Sequence, residues 1–247
     1  MKSVKTPLLC LLTLCASLSL PAQVQIGLPA YVPVQMDQRS EATFPRALAS
    51  VGVKSGAASI AIAVDDKGQL TDYLVTAYTH PLFAQSAVAA LKKWTFEPAQ
   101  IHGTPRNSKA DLTFKFELDG VVVVSVSALS ASEIIMYKLD PLSQAYSACT
   151  LAQLDRIPTP TKIVSPSYPG QLARSSRGGK VSVEFYIDEQ GHVRMPSTNL
   201  ETTEANEELA SVAVASVSQW QFDPPLQKGR PVLVLAQQDF NFKPANP

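Results

Sequence analysis

The chain of 247 residues is 45% hydrophobic and 17% charged, enough for one large domain or two small ones and too apolar for a disordered protein. Lys plus Arg and Asp plus Glu each total 21, so the formal charge of zero excludes the basic field that a nonspecific nucleic-acid binder needs. The 19 prolines exceed the roughly 12 expected at average usage and imply stiff, extended connections. Lys2 and Lys5 precede an uncharged run over 6–20, followed by Pro21-Ala22-Gln23, which is the order of a secretory signal. The run is shorter than the roughly 20 residues of a bilayer-spanning helix, so 1–22 reads as a cleaved signal and 23–40 as an extended lead-in. Cys10 and Cys15 fall inside that signal, leaving Cys149 alone and any internal disulfide excluded.

Pro45 opens a short helix through Leu48, since its fixed φ suits a first turn and its missing N–H has no helical partner there. Ala58, Ile60, Ile62 and Val64 then recur every second residue, predicting a strand with one apolar face. Asp65-Asp66-Lys67-Gly68 turns the chain into a return strand over 70–77. Pro81 begins a longer helix whose apolar stripe is Leu82, Phe83, Val88, Ala89 and Leu91. Trp94-Thr95-Phe96-Glu97-Pro98 ends it, because proline biases its predecessor toward extended geometry. Leu112, Phe114, Phe116 and Leu118 alternate in a third strand. Beyond it, Asp119-Gly120 offers a tight turn into a strand over 121–126, and Ser130 with Glu133 a capping box before Ile134, Ile135 and Met136. Pro158, Pro160 and Pro166 make the following stretch extended and stiff.

The same order is then written a second time. Tyr168-Pro169 answers Phe44-Pro45, and Gly179, Asp188, Gly191 and Val193 answer Gly56, Asp65, Gly68 and Leu70. Trp220, Phe222, Pro224, Gly229 and Pro231 answer Trp94, Phe96, Pro98, Gly103 and Pro105, while Phe240 and Phe242 answer Phe114 and Phe116. Val181, Val183, Phe185 and Ile187 repeat the strand alternation, and a helix over 205–219 presents Leu209, Val212, Ala213 and Ser216 on one face. The last strand, 232–242, alternates less decisively. Three short strands and a long helix make a two-layer unit, because the helix covers a sheet face that a bare hairpin leaves wet. The domains expected are therefore 41–118 and 158–244, with 119–157 a linker carrying the strand and short helix.

Each copy resembles the C-terminal domain of TonB, the periplasmic protein linking inner-membrane energy to outer-membrane transporters. The carrying residues are Phe44-Pro45, Gly56, Asp65 with Gly68, and Trp94-Thr95-Phe96-Glu97-Pro98-Ala99 with Gly103 and Pro105. In the second copy they are Tyr168-Pro169, Ala173-Arg174, Gly179, Asp188 with Gly191, and Trp220-Gln221-Phe222-Asp223-Pro224 with Gly229, Pro231 and Val232. The resemblance implies an α+β fold of two tandem domains, each a three-stranded antiparallel sheet packed against helices. It also implies recognition of a transporter segment by strand addition, since an exposed strand offers unpaired N–H and C=O groups. The edges expected from the family pattern are 112–118 and 232–242, with Leu112, Phe114, Phe116, Val234, Ala236 and Phe240 as the peptide-binding edge residues. A standard energy transducer keeps a membrane helix and a long Pro-rich span before one domain; a cleavable signal and two domains imply instead a binding protein of the periplasm or cell envelope.

Trp94, Phe96, Trp220 and Phe222, at matched positions after an apolar helix, are expected in structural cores rather than in a ligand site. Asp65, Asp66 and Asp188 lack the run of oxygen donors of a calcium loop and read as solvated turns. His80, His102 and His192 are isolated, so no zinc site is expected. Ser175-Ser176-Arg177-Gly178-Gly179 is neither a nucleophile elbow nor a phosphate loop. Arg174, Arg177 and Lys180 read as a solvated loop. No catalytic residue, cofactor, metal, nucleic acid or small-molecule substrate is expected. The partner implied is an outer-membrane transporter or other envelope protein; the alternative is a structural protein whose sheet edges pair internally or in a homodimer.

Overall fold

The computed structural model describes residues 31–119, 122–126, 145–168, 178–198 and 207–243. The signal expected at 1–22 and the short helix expected after Ser130 lie outside them, as do Arg174 and Arg177. Pro45 leads into α1 (Arg46–Ser50), and the chain then enters β1 (Ser55–Val64). Antiparallel β2 (Leu70–Tyr78) returns beside it, α2 (Pro81–Leu91) follows, and β3 (Ser108–Glu117) pairs along the other side of β1. The segment between the repeats supplies β4 (Val122–Ser125), β5 (Tyr146–Ser147) and β6 (Cys149–Thr150). β7 (Gly179–Ile187), β8 (Val193–Thr198), α3 (Glu207–Val217) and β9 (Val234–Phe242) then repeat the plan.

The hairpin turns show why Asp and Gly recur in both copies. Asp65 Oδ1 accepts from the amides of Lys67 and Gln69, at 3.0 and 2.7 Å, and Asp188 Oδ1 accepts from those of Gln190 and His192, at 3.1 and 2.8 Å. These carboxylates hold the local backbone, as Asx turns do. Gly68 and Gly191 sit at φ of +77° and +87°, where a Cβ would fall 2.1 Å from Phe96 O and 2.0 Å from Phe222 O. Each turn therefore lies directly against the Trp-x-Phe segment of its own repeat, and only glycine permits that approach.

Helices cover one face of each sheet. His80 Nδ1 accepts from the Leu82 amide and caps α2, with Pro81 at its first position. Phe83, Ala84, Ala87, Ala90 and Leu91 of α2 pack against Ile60, Ile62, Leu112, Phe114 and Phe116. Leu209, Ala213 and Val217 of α3 meet Val183, Phe185 and Val234 in the second core. Burial of each large side chain stabilises by about 1.5–3 kcal/mol, which sustains a fold without disulfides. Cys149 is buried and forms no disulfide among the described residues.

The sheets are larger than the three strands expected per domain. The first runs β5-β2-β1-β3-β4 and the second β6-β9-β7-β8, so a three-stranded antiparallel centre is extended in each by strands from the intervening segment. β5 pairs antiparallel to β2, and three residues on β6 pairs parallel to β9. Ala148 between them donates its N–H to Thr76 O, and Cys149 donates to Leu233 O at 2.8 Å. A stretch of five residues, Tyr146 to Thr150, thus stitches both sheets together. The described part of the stretch read as a lead-in, from residue 31, is structured too: Gln35–Met36 pairs with Phe96–Glu97, as Pro160–Lys162 pairs with Gln221–Phe222.

The second faces of the two sheets also meet. Ala61, with Ala63 and Leu74, packs against Tyr186, Met195, Leu233 and Leu235 in a third apolar cluster that Tyr146 and Ala148 join. β1 is consequently buried on both faces, and its small residues Ala57, Ser59, Ala61 and Ala63 are what let a second sheet approach. Ion pairs frame this contact: Arg194 forks onto Asp72, with Nε to Oδ2 at 3.1 Å, Lys109 reaches Glu184, and Arg106 meets Glu207 at 2.9 Å.

Candidate functional site

The side chains expected at a peptide-binding edge point inward. Leu112, Phe114 and Phe116 are buried beneath α2, Val234 and Ala236 are buried beneath α3, and Phe240 is half-buried with its ring 5.9 Å from that of Trp220. The edge itself is corrected at β3, which lies between β1 and β4 and has its Thr113–Phe116 stretch paired with Val122–Ser125. Val122–Ser125, within the stretch expected as a strand in the linker, covers part of the rim on which the first domain was expected to receive a peptide.

β9 differs. One side pairs with β7 along its whole length, while among the described residues the other pairs only with β6, at Val234 and Leu235. Cys149 donates to Leu233 O, so main-chain alternation turns the backbone groups of Leu233, Leu235, Gln237, Asp239 and Asn241 toward this outer rim. From Gln237 onward, no strand pairs with that rim among the described residues. Gln237, Asp239 and Asn241 are exposed, whereas Phe240 and Phe242 on the opposite face share a core with Trp220. The residues named from the sequence are the inward set, and the outward set is Gln237, Asp239 and Asn241. The polar series Gln237, Asp239 and Asn241 alternating with Ala236, Phe240 and Phe242 was the available signal.

The rim is electrostatically prepared. Asp239 accepts from Ser182 Oγ at 2.6 Å, Gln237 Nε2 at 3.0 Å and Lys180 Nζ at 2.8 Å. These hydrogen bonds, that from Lys180 foremost, hold its carboxyl well below the usual carboxylate range. Gln238 Nε2 donates to Asp239 O at 2.8 Å. Beside this face, a cleft of about 700 Å³ opens between the two bodies, with Ser182, Glu184 and Gln237 on one wall and Ser108 and Lys109 on the other.

The aromatic positions serve the cores. Trp94, Phe96 and Trp220 are buried and Phe222 is half-buried. Trp94 Nε1 donates to Ser40 O and Trp220 Nε1 to Val164 O, each at 2.8 Å, so each indole also pins the chain at the start of its own repeat. Among the described residues, no three His, Cys, Asp or Glu side chains cluster as a metal site. Lys180 is paired with Asp239 rather than free in a loop.

Two stretches, 40–118 and 164–244, match the family described as Gram-negative bacterial TonB protein C-terminal. The chain belongs to that family. It carries two tandem TonB C-terminal-like domains. Domains of this family are non-catalytic protein-interaction modules, so the chain is not an enzyme. They interact with outer-membrane transporters and typically reside in the periplasm or envelope. No curated protein matches the chain. Among the described residues, no helix is long and apolar enough to cross a membrane. The segment that provides β4, β5 and β6 lies between the two TonB-like matches.

Proposed function

We propose that this TonB-like protein is an envelope protein-recognition module of the periplasm that takes an extended segment of a partner as an added strand on the outer rim of β9. The partner is an outer-membrane transporter or another envelope protein. The observation that carries this reading is the run of main-chain groups at Gln237, Asp239 and Asn241 that no strand among the described residues pairs with, Asp239 O being met only by the Gln238 side chain. An incoming strand would satisfy those groups, and its alternate side chains would lie over Phe240 on one face and beside the inter-sheet cleft on the other. Ordering such a segment costs conformational entropy, so main-chain bonds supply affinity while the two faces select side chains.

A second reading is favoured by a specific observation as well. β4, β5 and β6 already occupy parts of three rims, as a structural or self-associating envelope protein would require. The two readings part at β9. In the full chain, a photocrosslinking residue in place of Gln237 or Asn241 should capture an extended segment of an envelope protein, and one in place of exposed Glu97 should not. Exclusive crosslinking to a second copy of the chain, with a dimer at every concentration, would favour the structural reading.

A further inference from the structure

We infer that β3 carries a second strand-docking rim, latent because the protein's own β4 occupies it. The inference rests on the proposed recognition by strand addition and concerns how the equivalent site in the first domain is held closed.

β3 is the counterpart of β9, reached in each repeat after the long helix and the Trp-x-Phe-x-Pro segment. Leu118 donates its N–H to Lys54 O on the β1 side, so alternation turns the main-chain groups of Thr113 and Lys115 toward β4. Their partners are Ser125 and Val123, which are therefore the β4 residues whose main chain holds the rim. Val122 and Val124 point the other way along the backbone, and their side chains lie against the first core.

Three observations mark β4 as an occupant rather than part of the domain. The family match ends at residue 118, so the domain unit stops before β4 begins. The hold is shallow, since none of the four β4 residues is fully buried and Val123 is 55% exposed. The pairing is also partial, spanning Thr113–Phe116 and leaving the rim of β3 from Ser108 to Leu112 beyond its register. An uncharged extended segment with an apolar residue at every second position has the chemistry to replace it, setting those residues where Val122 and Val124 now sit beside Phe116 and Phe114.

The test uses the full chain carrying V123P and S125P. Proline removes both amides that face β3 while Val122 and Val124 remain to support the core. The probe is a labelled synthetic peptide of sequence VVVVSVS, copying 121–127, with flanking lysines for solubility. Exchange of the Thr113 and Lys115 amides should rise about 100-fold in the variant and fall again on adding the peptide. The peptide should bind the variant at least about 10-fold more tightly than the unaltered chain. Single V123P, which removes one of the two donors, gives the same readout with less disturbance should the double variant lose its fold. Amides that stay protected in either folded variant, or that open without taking up peptide, overturn the inference. Exchange at Gln237, Asp239 and Asn241 reports the β9 rim separately. A silent β3 beside a β9 that responds to an envelope partner overturns this inference alone, and peptide uptake on β3 supports it even where β9 is silent.

Discussion

Replacing Gly191 with alanine should reveal how tightly the hairpin turn is pressed on the Trp-x-Phe segment. At φ of +87° an alanine side chain meets the left-handed penalty of roughly 1–2 kcal/mol. Its Cβ would also fall 2.0 Å from Phe222 O, a backbone atom that cannot rotate away, so turn and segment must part by about 1 Å. Overpacking of that kind costs about 1–3 kcal/mol, and the separation weakens the 2.9 Å bond from Phe222 N to Gly191 O by about 0.5–1.5 kcal/mol more. The sum is roughly 3–6 kcal/mol, equivalent to about 10 °C or more in melting temperature for a chain of this size. Gly229 is the control: its φ is +71°, yet a Cβ there meets nothing within 4 Å. Gly229→Ala should therefore cost only the conformational penalty of roughly 1–2 kcal/mol. Thermal melts of the two variants decide the matter. Equal losses would refute the close-approach argument and leave only a shared preference for positive φ.

Trp220→Ala should cost roughly 3–5 kcal/mol by urea unfolding, since it empties a buried site and removes one of the two donors to Val164 O, leaving Ser216 Oγ as the other; an unchanged midpoint would remove the indole from the core. Arg194→Ala should cost about 1 kcal/mol, because the half-exposed pair with Asp72 is screened, and should speed proteolysis within 145–150 as the sheets loosen; unchanged cleavage there would detach the pair from sheet docking. Asp111 has a buried oxygen, Oδ1, without a hydrogen-bond partner among the described residues, and burial raises its pKa, with Lys109 opposing and Glu184 adding to the rise. A raised folded value means that the folded state pays for the charge at neutral pH and is relieved as pH falls through that value. Asp111→Asn should thus gain about 1 kcal/mol at pH 7, and the gain should shrink as pH is lowered toward 4; a gain independent of pH would contradict the assignment.

The repeated unit is legible in the sequence because its determinants are local. The alternation of Ile60, Ile62 and Val64, the Asp-to-Gly turns and the proline-started helix each specify a short piece of backbone, and two copies test one another. The added strands are not legible in that way. Tyr146 and Cys149 carry no pattern of their own, and their pairing depends on two sheets being brought together. The signal for that docking was present in Ala57, Ser59, Ala61 and Ala63, a second face without charge or bulk, although reading alternate positions for the helix-facing side passes over it. The direction of the strand rims is hidden for a related reason. Leu112, Phe114 and Phe116 are apolar because they face a core, whereas strand addition uses main-chain groups whose direction becomes visible only through a bond such as that from Cys149 to Leu233.

The most direct test of the proposed recognition is residue-resolved amide exchange along β9 in the full chain, alone and with the envelope segment captured by crosslinking. Fast exchange at Gln237, Asp239 and Asn241 beside slow exchange at Gln238 and Phe240 is predicted for the free protein, with the fast set slowed on binding. Slow exchange at all five in the free protein, unaltered by the partner, would contradict an open rim.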